Sequence, residues 1–158
     1  MSGSENSLGS SFQDADQSTG LLLWKVTNKW QAAQRAALAD LGLTHVQFVL
    51  LASVVWLEPH GVITQRKLAD HADTDPMMTS EVIRTLEKKG LVSRVAHPTD
   101  SRARSVSPTE AGRELARQAT AVVEAVDTEY FSALRDQRND FTQMLVKLST
   151  QSSSAPCE

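Results

Sequence analysis

Between Asp75 and Gly90 the chain carries a helix that is marked at both ends. Asp75 suits an N-cap, because its side chain can accept from the unpaired backbone N–H groups of the first turn. Pro76 suits the first helical position, where a missing N–H costs nothing. Gly90 stops the helix, and Lys88 and Lys89 stand in its last turn, where the macrodipole favours cations. Val82, Ile83 and Leu86 share one face with Thr79, which predicts an inward side. The opposite side displays Met77, Glu81, Arg84 and Lys88, with Ser80 at its edge. Glu81 and Arg84 are three apart, close enough on a helix to pair.

The flanking stretches say how this helix is used. Upstream, Thr64 caps a shorter helix from Gln65 to about Ala72; Leu68 and Ala69 face inward, and Gln65, Arg66 and Lys67 stay exposed near its start. Downstream, Leu91 to Ala96 is short and β-prone, Pro98, Thr99, Asp100 and Ser101 are turn residues, and Arg104 to Ser107 returns as a second strand. Arg102 and Arg104 flank the hairpin tip. Helix, tight turn, helix and hairpin make a winged helix-turn-helix, which puts its second helix into a DNA major groove. A cationic wing tip beside that helix suits a narrow minor groove or a run of phosphates. The candidate DNA contacts are Thr64, Gln65, Arg66, Met77, Ser80, Glu81, Arg84, Lys88, Arg102 and Arg104.

The remaining segments read as a scaffold. Leu21 to Leu41 is a long helical stretch ending at Gly42, with Leu23, Val26, Trp30, Ala33 and Ala37 in one stripe and Trp24 off it; both tryptophans read as core or subunit packing. Thr44 and Gln47 have capping-box spacing, and the helix they open, VQFVLLASVVWL, is apolar nearly all round and should be central. His45 lies in its first turn and reads as a surface or satisfied histidine. Val62 and Ile63 can pair with the wing as a short strand. Thr109 caps a long helix to about Leu134, whose apolar face is Leu115, Ala119, Val122 and Val126, joined by Ala125. Gly112, at its third position, would let another element approach closely. A last helix, about Asn139 to Leu148, presents Phe141, Leu145 and Leu148. The terminal helices are too apolar to stand alone in water, and a second copy of the same surface is the simplest partner.

The expected fold class is mainly α with a small β-wing. The winged helix-turn-helix spans about residues 44–112, dimerisation helices about 20–42 and 109–148 complete a single domain over 20–148, and 1–19 and 149–158 are flexible tails. The net charge of −3 is unusual for a DNA-binding protein, but residues 62–113 hold nine Lys and Arg against seven Asp and Glu, so the acid lies in the flanks. No apolar run is long enough to span a bilayer and no signal peptide is apparent, so no membrane association and a cytoplasmic location are expected. The single cysteine, Cys157, excludes an internal disulfide. No His, Cys, Asp and Glu cluster has metal-ligand spacing; His71, Asp73 and Asp75 straddle a turn that they cap and solvate. No catalytic arrangement is suggested, no Gly-rich phosphate loop is present, and neither cofactor nor metal is expected.

Three stretches carry a resemblance to a known family: LTHVQFVLL, TSEVIRTLEKKGLVSR and HPTDSRARSVSPTEAG. The Asp100–Ser101–Arg102–Ala103 tip followed by Thr109–Glu110–Ala111–Gly112 is the most specific. From about Leu21 to Leu148 the chain resembles the MarR family of bacterial regulators. The resemblance implies an obligate homodimer joined by its terminal helices, a palindromic DNA operator, and release of DNA on sensing a small aromatic or anionic effector, or an oxidant. By position, Arg102 is the wing arginine, Asp100 orients it, and the reading residues fall on Met77 to Arg84. An effector pocket is implied where the dimer helices meet the winged helix, near Trp24, His45 and Arg113. Glu81 occupies a place often basic or small in the family, and Pro108 one where Leu is usual. Oxidant-sensing members carry a cysteine in the first helix; this chain has none there. The expected function is a dimeric, sequence-specific repressor. The alternative is a winged-helix module that binds a protein in place of DNA, which the overall acidity and Glu81 would permit.

Overall fold

The computed structural model describes residues 7–100 and 104–151. Eight longer elements follow one another: α1 (Thr19–Leu38), α2 (His45–Leu57), α3 (Gln65–Ala72), α4 (Pro76–Lys88), β1 (Val92–Ala96), β2 (Arg104–Pro108), α5 (Glu110–Tyr130) and α6 (Arg138–Ser149). The molecule is mainly helical with one small two-stranded sheet, as the sequence leads one to expect.

The winged-helix body is built on α2. Thr44 and Gln47 form the full capping box, each side chain bonding the other's backbone N–H at 3.2 Å. Leu50, Leu51 and Val54 of this helix are shut off from solvent, and Leu68, Ile83 and Leu86 close on them from α3 and α4. Thr64 caps α3 by accepting from Lys67 N–H. Asp73 turns the chain in the left-handed region, Asp75 accepts from Met78 N–H at 2.9 Å, and α4 begins at Pro76. Gly90, at φ 72°, ends the α4 segment, and Leu91 N–H bonds back to Leu86.

The wing is an antiparallel pair, with Val92 opposite Pro108 and Ala96 opposite Arg104. The strand expected at Val62–Ile63 reduces to a single bridge between Thr64 and Ser105, supported by Val106 N–H donating to the Ile63 carbonyl at 2.8 Å. Val62 itself stays exposed. Thr109 joins wing to scaffold. Its hydroxyl accepts from Gly112 N–H while donating to the Gly90 carbonyl at 2.6 Å, and its own N–H donates to Leu91. Gly112 is pressed against the Leu91 carbonyl, and a Cβ there would come within 2.9 Å of the carbonyl carbon and closer to its oxygen. The close approach expected at this glycine is real.

The scaffold helices depart from the expected bounds and apolar stripes. Helix α1 starts at Thr19 under a Ser18 cap, within the segment read as tail, and a 3-10 turn at Ala15–Gln17 precedes it. Its buried residues are Gln34 and Leu38; Leu23 is 54% exposed and Val26 is also exposed, so the expected stripe is only partly covered by the protomer. Helix α5 buries Ala116, Ala119 and Val123, while Ala125 faces solvent. It ends at Tyr130 and gives way to a 3-10 stretch, Phe131–Gln137, broken at Arg135 (φ 50°). Helix α6 buries no residue at all. Among the described residues no single helix is long and apolar enough to cross a membrane.

Candidate nucleic-acid interface

The exposed side of α4 carries Met77, which is 82% exposed, with Glu81, Arg84 and Lys88 exposed and Ser80 half-buried. Thr79, Ile83 and Leu86 hold the other side in the core, so packing fixes which residues are displayed. The pairing open to Glu81 and Arg84 on helical spacing does not form: among the described residues no ion pair joins them.

Beside this face lies a crevice of about 560 Å³ where two helices and the two-stranded wing meet. Thr64, Gln65 and Arg66 line it from the start of α3, Ser80 and Arg84 from α4, and Arg94 and Arg104 from the two wing strands. Six of these seven are candidate contacts from sequence; Arg94 was not among them. Arg94 reaches from β1 to Glu87 on α4 through two parallel bonds, Nε to Oε2 at 2.9 Å and Nη2 to Oε1 at 3.1 Å. The planar fork of a guanidinium suits a carboxylate held this way. The Arg94 hydrogen bonds hold the Glu87 carboxyl below its ordinary range, desolvation opposes this, and the Arg104 charge adds to it. Residues 101–103 lie outside the described residues, and Arg102 with them. Asp100 lies at the edge of that gap, where its backbone N–H donates to His97 Nδ1 at 3.1 Å.

A second cavity, about 510 Å³, opens where α1 meets the winged-helix body. Trp30 and Arg35 line it from α1, His45 and Val49 from α2, and Thr74 and Met78 from the turn into α4 and its first turn. Trp30 and His45 meet edge to face at 5.0 Å. Trp30 Nε1 and Gln34 Nε2 both donate to Asp127 Oδ1 at 2.7 Å, which ties α1 to α5 behind the cavity. Burial pushes the His45 imidazole below its ordinary value, the Asp127 carboxylate works against this, and Arg35 works with it. Trp24 does not line the cavity and is 68% exposed. Arg113 does not line it either; its guanidinium pairs with Glu58 and, at 3.3 Å, with Glu110. The family resemblance placed His45 at this junction; Trp30 was expected only as a packing member of the α1 stripe, and Arg35 was not singled out. Among the described residues no group of three or more His, Cys, Asp or Glu could hold a metal ion.

The chain compares closely with known regulators. The family model described as MarR family matches residues 43–103. The HTH-type transcriptional regulator YdcH of Bacillus subtilis is 45% identical over 131 residues, covering 82% of this chain and 89% of that protein. The HTH-type transcriptional repressor Rv2887 of Mycobacterium tuberculosis is 36% identical over 134 residues, covering 84% of this chain and 94% of that one. Rv2887 has been solved in complex with DNA (TM-score 0.65, 34% identity, 84% of this chain and 98% of that chain) and with salicylic acid (TM-score 0.64). CouR of Rhodococcus jostii RHA1, bound to p-coumaroyl-CoA, superposes with a TM-score of 0.78 at 28% identity, covering 89% and 98% of the two chains.

Proposed function

The chain belongs to the MarR family of winged-helix transcriptional regulators, and on that premise we propose that it is a homodimeric repressor that binds a palindromic DNA site and is released by a small aromatic anion. The observation that carries the reading is the continuous surface made by the exposed side of α4 and the arginine-lined crevice beside it. A displayed helix face alone fits many folds. A displayed face next to guanidinium groups from three elements is suited to a duplex, where the cations neutralise phosphates and the helix reads base edges. Rv2887 with DNA supports the same reading for a relative.

The dimer follows from what the protomer leaves uncovered. Leu21, Leu22, Leu23 and Val26 on α1, and Met144, Leu145, Val146 and Leu148 on α6, are all exposed. A second copy offers the matching apolar surface, and two winged helices related by a two-fold axis fit half-sites about one helical turn apart. The cavity at the α1 junction is the candidate effector site. Trp30 and His45 supply ring faces and Arg35 a counter-charge for a carboxylate. Met78 lies in the cavity wall and in the recognition helix, so a ligand that displaces it moves the reading face. Salicylic acid on Rv2887 and p-coumaroyl-CoA on CouR support an aromatic ligand with an acidic group.

The test is binding of the purified protein to the DNA upstream of its own gene over a salt series. With about six to ten phosphate contacts, affinity should fall by about 10³ to 10⁵ between roughly 50 and 200 mM salt. Absent or salt-insensitive binding would overturn the reading. In the same assay an aromatic carboxylate such as salicylate should weaken binding and shift tryptophan emission.

A further inference from the structure

We propose that the crevice between α3, α4 and the wing is a preformed seat for one phosphate of the DNA backbone, shared by Arg66, Arg84 and Arg104. The proposal rests on the DNA-binding reading above and goes beyond it: three cations from three elements serve a single phosphodiester, not three separate ones.

The charge inventory leads there. Four guanidinium groups line this one space and no Asp or Glu does. Arg94 is neutralised from behind by Glu87, through two hydrogen bonds. Arg66, Arg84 and Arg104 make no ion pair among the described residues. Like charges brought together around about 560 Å³ repel one another unless an anion enters. The Ser80 and Thr64 side chains on the same walls suit an anion with several acceptor oxygens.

The walls are tied to one another around the clustered charges. The Thr64–Ser105 bridge pins the start of α3 to β2, the ladder pins β2 to β1, and the Glu87–Arg94 pair pins β1 to α4. Each wall is therefore held to the next by backbone or bidentate contacts, and the space is organised before ligand arrives. Glu87 acts here as a positioning residue. It sets the angle between wing and recognition helix and removes one of four charges, leaving three to face the anion. In a complex the seat lies between the reading helix and the wing, where the backbone passes from major to minor groove.

Sharing makes a sharp test. The wild-type protein, Arg66→Ala, Arg104→Ala and the double variant are compared over a salt series on a duplex recovered by selection with the wild type. Both side chains are exposed and unpaired, so melting curves should be unchanged and serve as the folding control. Each single variant should bind about tenfold or more weakly, the effect of losing a charge-assisted hydrogen bond. The salt slope of the double variant should fall by no more than about 1 per subunit, because only one phosphate is lost. A fall of about 2 per subunit means separate phosphates and overturns the proposal, as do single variants that bind like wild type. A second arm places neutral methylphosphonate linkages one at a time along the duplex. One position in each half-site should weaken the wild type and make both single variants indistinguishable from it. If no position does so, the shared seat is rejected; a crevice that takes only free inorganic phosphate gives this result too. Failure of the wild type to bind any duplex would instead overturn the DNA-binding reading itself.

Discussion

In the winged-helix body, Leu50, Leu51, Val54, Leu68, Ile83 and Leu86 from three helices are sealed from solvent, and Val106 of the wing joins them. At the start of α1 and along α6 the same residue type behaves oppositely: Leu22, Leu23, Leu145 and Leu148 are exposed, and α6 buries nothing, although Leu38 at the end of α1 is buried. Leucines of equal hydrophobicity thus do two jobs. In the body they are covered by the protomer's own chain, so folding and burial are one event. At the termini their apolar area is left open to solvent, and in the proposed dimer their contribution would depend on concentration. The body is also cross-tied by specific polar contacts, at Thr109 to Gly90 and Glu87 to Arg94, whereas α6 has a ring contact to the segment before it, Phe131 with Phe141 at 6.0 Å.

The largest test of this contrast is a pair of glycine substitutions. Gly112→Ala drives a methyl group into the Leu91 carbonyl at the seam between wing and α5. Backbone cannot rotate away as a side chain can, so the cost should reach about 3 kcal/mol, the upper end for overpacking. Gly20→Ala in α1 meets nothing within 4 Å and should be neutral or slightly stabilising, since alanine is the better helix former. Chemical denaturation of both variants measures the difference; equal effects would erase the distinction. Next in size is Leu148→Asp on α6. It should leave the protomer folded by circular dichroism but raise the dimer dissociation constant by at least about tenfold, roughly 1.4 kcal/mol. Sedimentation checks this, and an unchanged dimer would show that α6 covers some other surface.

The two regions also differ in how far sequence reveals them. The body announces itself through short-range signals: the Thr44–Gln47 box, the Asp75–Pro76 start, Gly90, and Thr109 with Gly112 three residues on. Each acts within a turn of its own position, so local pattern suffices. The ties that shape the sites do not. Glu58 with Arg113, Trp30 and Gln34 with Asp127, and Arg94 within the crevice are brought together by the tertiary fold, and no spacing rule foretells them. On α1 periodicity blurred for a physical reason. Its apolar residues are divided between the interior and the uncovered face, while one of its two fully buried residues is polar Gln34, held by Asp127. A stripe drawn from hydrophobicity alone passes over it.

A third test separates reading from folding inside the body. Glu81 is exposed, faces the same side as Arg84 and is not paired with it. A carboxylate on a surface meant for phosphates costs affinity unless it accepts from a base, and cytosine N4 is the donor it suits. Glu81→Gln should therefore leave stability unchanged and relax preference at one position of each half-site, by about 1 kcal/mol. If selected sites stay identical and affinity rises evenly, Glu81 only repels the backbone.

The smallest effect is expected from His45, which sits where the two regions join. Its ring lies against Trp30 of α1 and beside the cavity, with Asp127 and Arg35 as the charges acting on it. Burial lowers its proton affinity in the folded protein, Arg35 lowers it further, and Asp127 partly restores it, so the net shift is a balance of opposing pulls. In the unfolded chain the imidazole titrates near about 6.5. Well above that value both states are neutral and His45 contributes no pH dependence. As pH falls through about 6.5 the unfolded chain takes up the proton first, which favours unfolding, and the loss levels off only below the folded value. Wild-type stability should thus decline as pH falls through and below about 6.5, by an increment that His45→Gln lacks. The measurement is the difference in melting temperature between the two proteins as a function of pH. A difference that stays flat across the window would mean that His45 is not desolvated by docking of α1 on the winged helix. The increment should also shrink in the Leu148→Asp background if α1 is held against α2 partly by the dimer, which would make one imidazole a reporter of how the uncovered region supports the covered one.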